Sequence, residues 1–266
     1  MTTAATATAG HDLASPIDPD RFAPPSLAQR ARELLAIREP ARLALGARRL
    51  AATPCGTSRP VLTLPGLGAT DASMAPIRRY LASRDHDAQG WGLGRNDGDV
   101  ESLIERATPV AVDLAERAGR PINLLGWSLG GVLAREIARD RPDIVHRVAT
   151  FGTPLTGPRH TAAVLAYSDE QLDQVDALIR QREQRPITRP VLAIYSRNDG
   201  IVDWRTCIDR TSPHVIHRRA KGTHLAMGLD PDVWRWTAEW FADRAAGHRP
   251  VVDHDTANTL PARPSP

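Results

Sequence analysis

The fold of this chain is decided by the stretch INLLGWSLGGVLAREIA at residues 122–138. An apolar run leads directly into Gly-x-Ser-x-Gly, and a run with the apolar spacing of a helix follows it. A strand that turns at once into a helix leaves room only for small side chains, which accounts for the glycines on both sides of Ser128. The pattern is typical of a strained turn that projects a serine hydroxyl from the edge of a sheet. Because five residues also match by chance, the alternative is an ordinary glycine-bearing turn with an incidental serine, and the rest of the chain must decide.

Around this stretch, apolar segments alternate with helical ones from residue 60 onward. Strands are predicted at residues 61–64, 86–91, 122–125, 148–151, 191–196 and 215–217. Helices are predicted at residues 73–82, at residues 101–118, directly after Ser128, and at residues 232–246. The alternation predicts an α/β fold with a mostly parallel, doubly wound sheet that helices bury on both faces. In such sheets functional residues gather where strands end, so a candidate site residue should follow a strand.

We predict three parts along the chain. Residues 60–246 form the α/β domain, and within it the polar, helix-forming residues 155–189 are predicted to be a small cap insertion over the site. Residues 1–59 are predicted to be a disordered lead-in followed by an N-terminal helical extension. The proline-containing residues 247–266 are predicted to be a disordered tail.

The helical extension contains two predicted helices, at residues 26–37 and 41–50, with Ser26 capping the first. Both mix arginine with leucine at helical spacing. A basic amphipathic helix can lie on a membrane surface, so peripheral membrane contact is one interpretation. The commoner arrangement, which we favour, is a helix packed on its own domain with a solvated arginine face.

Composition and charge narrow the class of protein. With 266 residues, of which 41% are hydrophobic and 24% charged, the chain has the make-up of a soluble protein with room for one α/β domain. A net charge of only +3 argues against a nucleic-acid-binding protein. The two cysteines, Cys55 and Cys207, are too few for a disulfide framework or a four-ligand zinc site and are predicted to be free thiols. The sequence shows neither a signal peptide nor an apolar run of roughly 18 residues, so we expect a cytoplasmic protein without a transmembrane segment.

A serine hydroxyl is a weak nucleophile at neutral pH, so Ser128 needs a general base, and the base needs an orienting carboxylate. Where a Gly-x-Ser-x-Gly turn carries the nucleophile, these groups follow along the chain in the order serine, acid, histidine. Among the nine histidines, the strand-end rule favours His224, in the loop KGTH at residues 221–224, because His160 lies in the predicted cap and His214 comes before the last predicted strand. His146 precedes a predicted strand, at the wrong edge of the sheet, and His217 falls inside one.

Two aspartates compete for the role of the acid. Asp199 follows the predicted strand end in SRNDG at residues 196–200, and Asp203 lies four residues further on. Either could simply serve a turn, because Asn-Asp-Gly is a common turn sequence. We favour Asp199 because it is nearer to the end of the strand, with Gly200 shaping a tight loop after it.

Together these segments resemble the α/β-hydrolase superfamily, specifically bacterial esterase- and lipase-like serine hydrolases. The resemblance rests on residues 61–68, 126–131, 151–154, 194–204 and 222–228. It implies the α/β-hydrolase fold, with Ser128 as nucleophile, Asp199 as acid and His224 as base.

The loop PGLG at residues 65–68 follows an early strand, which is where this family has its oxyanion loop. By analogy, the backbone N–H groups of Leu67 and Leu129 are expected to form the oxyanion hole. Pro65-Gly66 stands where His-Gly is common in the family, and some lipase-like members share this feature.

The resemblance also implies a reaction. We expect cleavage of small-molecule or lipid-like carboxylic esters through an acyl-enzyme on Ser128, with no cofactor and no metal. The same residues would support acyl transfer or the cleavage of thioesters or amides, and a binding protein without turnover is a further alternative.

Trp127, Trp204 and Leu155 are predicted to line an apolar pocket. GWGLG at residues 90–94 does not have the spacing of a dinucleotide-binding motif and is interpreted as a loop near the mouth of the site.

Overall fold

The computed structural model describes residues 23–166 and 168–242, and one sheet of six strands runs through them. The strands are β1 (Pro60–Leu64), β2 (Asp87–Gly90), β3 (Ile122–Trp127), β4 (Val145–Phe151), β5 (Val191–Ser196) and β6 (Val215–Ala220). All neighbouring strands are parallel, and their order across the sheet is β2-β1-β3-β4-β5-β6. The predicted mostly parallel sheet is confirmed.

Helices cover both faces of this sheet, as predicted. The α-helices of the described residues are α1 (Leu27–Ala31), α2 (Glu39–Ala51), α3 (Asp71–Ala82), α4 (Val100–Ala118), α5 (Leu129–Asp140), α6 (Asp169–Glu183) and α7 (Pro231–Phe241). Because successive strand residues point to opposite faces, Leu62 and Leu124 pack in a buried cluster with α4 and α5. Their chain neighbours Val61 and Leu125 pack on the other face, in a cluster that includes residues of α3 and α7.

The start of β4 differs from the prediction. The strand begins at Val145 rather than at residue 148, because its backbone pairs with Ile122 of β3 beyond the apolar run. His146 therefore lies inside β4 and does not precede it, and its Nδ1 atom is 3.2 Å from Oδ1 of Asn123. Since it is near the beginning of a parallel strand, it still lies at the edge of the sheet opposite to Ser128.

The N-terminal extension is helical, but its first helix is shorter than predicted. Ser26 caps α1 through a capping box with Gln29, as expected. A 3-10 helix, Arg32–Arg38, then replaces the rest of the predicted helix at residues 26–37. The following helix, α2, has Pro40 in its first turn, where proline is tolerated, and it packs against α7.

Residues 155–189 connect β4 to β5 and include α6, which Ser168 caps. The end of α6 is bound to the end of α5, because Arg182 forms ion pairs with Glu136 and Asp140. The segment thus supplies the helix that crosses over between two parallel strands, and its action as a cap stays a prediction.

The predicted lead-in up to residue 22, the predicted tail at residues 247–266 and the predicted end of the last helix at residues 243–246 lie outside the described residues. Across the part of the chain that the structure does describe, none of the helices has the length and apolar character required to cross a bilayer.

Candidate active site

Ser128 lies at the turn between β3 and α5, in a strained backbone conformation with φ 54° and ψ −123°. Such a positive φ is unfavourable for any residue with a side chain and costs on the order of 1–3 kcal/mol. The turn is held from both sides, because the Ser128 N–H donates to the carbonyl of Phe151 (2.9 Å) and the Gly131 N–H donates to the carbonyl of Ser128 (2.9 Å). The surrounding fold therefore keeps the serine at the carboxyl end of the sheet.

The two glycines of the motif are required by close backbone approach. A Cβ atom on Gly126 would collide with the backbone of the first turn of α5, at Gly130 and Gly131. A Cβ atom on Gly130 would collide with the carbonyl group of Leu64 at the end of β1. The sequence indicated that the turn has room only for small side chains, and the structure identifies the backbone atoms that leave no space.

Asp199 and His224 form a buried hydrogen-bonded pair. His224 Nδ1 is 2.8 Å from Asp199 Oδ2, and each residue is only 3% exposed. The other oxygen of Asp199 accepts the backbone N–H groups of Ile201 (2.9 Å) and Val202 (2.7 Å). A carboxylate fixed in this way accepts the proton of Nδ1, which leaves Nε2 of a neutral imidazole as a proton acceptor.

Asp203, the alternative acid, is bound elsewhere. Its Oδ1 atom accepts the backbone N–H of Arg205 (3.0 Å) and caps the 3-10 helix Trp204–Cys207. Its Oδ2 atom is 2.8 Å from Nη1 of Arg205. Of the two aspartates, the structure therefore brings Asp199 against His224 and uses Asp203 as a helix cap.

The His224 ring stands over the end of β4, directly beside the strand that leads to Ser128. A Cβ atom on Gly152 would lie 3.0 Å from both Cε1 and Nδ1 of His224. Gly152 follows Phe151, whose carbonyl binds the Ser128 N–H. Trp127 stacks on Phe151, with ring centroids 5.9 Å apart, and its own ring is 6.2 Å from that of His224. These residues therefore lie at one edge of the sheet, where the strands end, as the strand-end rule predicts.

The loop after β1 runs alongside Ser128. A Cβ atom on Gly66 would lie 3.3 Å from the Cβ atom and 4.0 Å from Oγ of Ser128. Leu129 is the first residue of α5, so its backbone N–H has no partner within the helix. Gly66 of this loop and the start of α5 therefore both lie beside Ser128, and the oxyanion hole formed by the Leu67 and Leu129 N–H groups stays a prediction.

Asn96, which the sequence did not single out, holds this loop in place. Its side-chain Nδ2 donates to the backbone carbonyl of Pro65 (2.8 Å), and its backbone carbonyl accepts the N–H of Gly68 (2.7 Å). The residue is fully buried. In the sequence it looks like one more polar residue of a turn-rich segment, so its role is visible only in three dimensions.

A second unexpected residue is Glu33 of the 3-10 helix Arg32–Arg38. Its carboxylate accepts backbone N–H groups from the loop that follows Asp199 and from the loop that carries His224. In the sequence, a glutamate among arginines and leucines is typical of a solvated helix face, so nothing beside Glu33 indicated this contact.

A buried charged cluster lies at α5 and β6. Arg135 and Asp209 form an ion pair at 2.6 Å, and the Asp209 N–H donates to Nε2 of His217 (3.0 Å). Burial opposes ionisation of Asp209, but Arg135 and hydrogen bonds from Ser212 keep the pKa of this carboxyl below its usual value. Burial lowers the pKa of His217 to about 4, although the negative charge of Asp209 acts in the opposite direction.

Comparison of the chain with family models finds no match. A stretch of 103 residues is 35% identical to the pimeloyl-[acyl-carrier protein] methyl ester esterase of Aeromonas hydrophila, and it covers 37% of this chain. The match spans 39% of that enzyme, about two fifths of its length.

Solved structures match over much more of the chain. The structure from the work on LipS and LipT, two metagenome-derived lipolytic enzymes, aligns with a TM-score of 0.59 at 17% identity, over 72% of this chain and 96% of that one. The monoacylglycerol lipase of Paleococcus ferrophilus aligns with a TM-score of 0.53 at 16% identity, over 71% and 96% of the two chains. MGS-MChE2, an alpha/beta hydrolase from a sediment metagenome of the Mar Chica lagoon, aligns with a TM-score of 0.50 at 17% identity, over 70% and 92%.

The protein therefore has the α/β-hydrolase fold. Both the resemblance and the fold class predicted from the sequence are confirmed at this level.

Proposed function

We propose that the protein is a hydrolase of carboxylic esters that acts through an acyl-enzyme on Ser128. The observation that carries the proposal is the buried pair of Asp199 and His224 at the same sheet edge as the strained Ser128 turn. A strained serine beside a histidine whose Nδ1 proton is already bound by a carboxylate is the arrangement that activates a serine hydroxyl.

The proposed reaction uses Ser128, His224 and Asp199 together. Nε2 of His224 takes the proton of Ser128 as Oγ attacks the ester carbonyl carbon, and Asp199 stabilises the imidazolium that forms. The backbone N–H groups of Leu67 and Leu129 donate to the oxyanion, an effect worth on the order of 10²–10³ in kcat for each donor. His224 then protonates the departing alcohol, the acyl group stays on Oγ, and water activated by His224 releases the acid and restores Ser128.

The chemistry needs no group beyond these side chains and amides, so we propose a cofactor-independent reaction. The comparisons support an ester as substrate, since the proteins that resemble this chain include lipolytic enzymes, a monoacylglycerol lipase and a methyl ester esterase. Trp127 contributes an aromatic surface 6.2 Å from the His224 ring, which favours an apolar group beside the scissile bond.

A fluorophosphonate probe and a series of p-nitrophenyl esters of increasing chain length test this proposal. The wild-type protein should be labelled and should hydrolyse at least one ester, and Ser128→Ala should abolish both. Equal labelling of the wild type and of Ser128→Ala would refute the nucleophile. Labelling without hydrolysis of any ester would instead favour acyl transfer or amide or thioester cleavage by the same residues.

A further inference from the structure

The N-terminal extension reaches the proposed site through one carboxylate. Glu33 lies in the 3-10 helix Arg32–Arg38, outside the predicted α/β domain at residues 60–246. Its Oε1 atom accepts the backbone N–H groups of Gly200 (2.7 Å) and His224 (3.0 Å), and its Oε2 atom accepts the N–H of Leu225 (2.9 Å). One carboxylate therefore binds three backbone donors, one from the loop after Asp199 and two from the loop that carries His224.

The three donors belong to the two loops that carry the proposed acid and base. Gly200 directly follows Asp199, whereas His224 and Leu225 lie beyond β6. Glu33 therefore joins the two loops through their backbones, next to the bond that joins Asp199 and His224 through their side chains. The two connections together fix both the distance between the loops and the direction of the imidazole.

The loop after Asp199 is shaped for this contact. A Cβ atom on Gly200 would collide with the carbonyl oxygen of Gln29 and would lie 3.0 Å from Oε1 of Glu33. Glycine at this position thus admits the extension, which gives it a more specific role than shaping a turn.

The extension has a second attachment that does not involve Glu33. Nη1 of Arg42 binds Glu39 (2.6 Å) and lies 3.2 Å from Oδ2 of Asp230. Leu50 of α2 is buried in the same apolar cluster as Trp234 of α7. The extension is therefore expected to stay docked when Glu33 is changed.

We infer that Glu33 is a positioning residue for the proposed hydrolysis, which holds the Asp199 loop and the His224 loop in register. The inference rests on the proposed function of Ser128, Asp199 and His224. Because a misplacement of about 1 Å can cost up to about a hundredfold in rate, loss of this carboxylate should lower kcat by about tenfold to a hundredfold. KM should change little, because Glu33 binds the backbone N–H groups of the loops and is not proposed to contact the ester.

The test compares Glu33→Ala and Glu33→Gln with the matched control Glu39→Gln. The control makes the same acid-to-amide change in the same extension, but Glu39 binds Arg42 instead of the loops. Measurements are kcat and KM on the best p-nitrophenyl ester, thermal stability, and hydrogen exchange of peptides that cover residues 197–203 and 221–228.

For Glu33→Ala we expect the loss in kcat with faster exchange in both loop peptides. The kcat of Glu33→Gln should lie between those of the wild type and Glu33→Ala, because the glutamine oxygen can still accept two N–H groups while its NH₂ group faces the third donor. Glu39→Gln should keep wild-type kcat. If Glu33→Ala is too unstable to purify, Glu33→Gln and its exchange data decide.

Wild-type kcat and exchange in the Glu33 variants would overturn the inference, and so would an equal loss of kcat in Glu39→Gln. Failure of the proposed function is a separate result. It would be a wild-type protein that is neither labelled at Ser128 nor active on esters, and the exchange measurements would still decide whether Glu33 holds the two loops.

Discussion

Replacement of Asp199 by asparagine is the sharpest test of the proposed acid. The Oδ1 atom of the aspartate accepts two backbone N–H groups, from Ile201 and Val202, and the Oδ2 atom accepts one proton, from His224. In Asp199→Asn the amide oxygen is expected to keep the two backbone bonds. The reverse orientation would leave both buried N–H groups unpaired, at about 1–3 kcal/mol each.

The NH₂ group of the asparagine then faces Nδ1 of His224. Two donors cannot share this contact, so Nδ1 must become the acceptor and the proton moves to Nε2, the atom that has to accept the serine proton. In serine hydrolases the wrong tautomer lowers kcat by about 10⁴, which corresponds to about 5 kcal/mol of activation free energy. The fold should be kept, because both backbone bonds remain.

The assay is steady-state hydrolysis of a p-nitrophenyl ester together with the rate of labelling by a fluorophosphonate. Asp203→Asn is the matched control: it can still cap its 3-10 helix through Oδ1, and it loses only a half-exposed ion pair worth about 1 kcal/mol or less. Its kcat should stay close to that of the wild type. The reasoning is refuted if Asp199→Asn keeps kcat within tenfold of the wild type, or if Asp203→Asn loses as much.

Three further predictions concern the loop, the turn and the buried charges. Asn96→Ala removes the buried bond to the Pro65 carbonyl, so we expect a lower kcat and a loss of about 1–3 kcal/mol in the free energy of unfolding, measured by ester hydrolysis and by denaturant titration; unchanged kcat would separate Asn96 from the oxyanion loop. Gly130→Ala puts a methyl group against the carbonyl of Leu64, so the variant should fail to fold or melt well below the wild type in a thermal scan, and a wild-type melting temperature would contradict the steric argument. His217 has a pKa of about 4 in the folded chain and of about 6.5 when unfolded, so the unfolded chain binds more protons between these values and stability should fall as the pH drops through this window. The loss is at most about 3 kcal/mol by urea titration at several pH values, and it should shrink in His217→Asn.

The sheet and the turn could be predicted because their signals are local. Apolar runs marked the strands, and the Gly-x-Ser-x-Gly motif marked the turn. Its glycines are required by backbone atoms that lie only a few residues away or on the adjacent strand. The early start of β4 had no such signal, because backbone pairing carries a strand past its apolar residues to include His146.

The candidate site was predictable as far as the strand-end rule reaches. The motif identified Ser128, the rule selected Asp199 and His224, and the structure brings the aspartate and the histidine into contact. Asn96 and Glu33 escaped it because each acts on the backbone of a distant segment, and nothing in the residues beside them identifies the partner.

The attachment of Glu33 has a consequence for the order in which the molecule is completed. Its partners are 167, 191 and 192 residues further along the chain, so the extension is synthesised well before the two loops that it joins. Contacts of such long range form late, because bringing distant segments together costs loop-closure entropy until other contacts hold them near each other. A nascent chain that ends before β6 can already hold the serine turn, but it lacks His224 and two of the three donors to Glu33. The contact that joins the two loops can therefore form only after Leu225 has been synthesised.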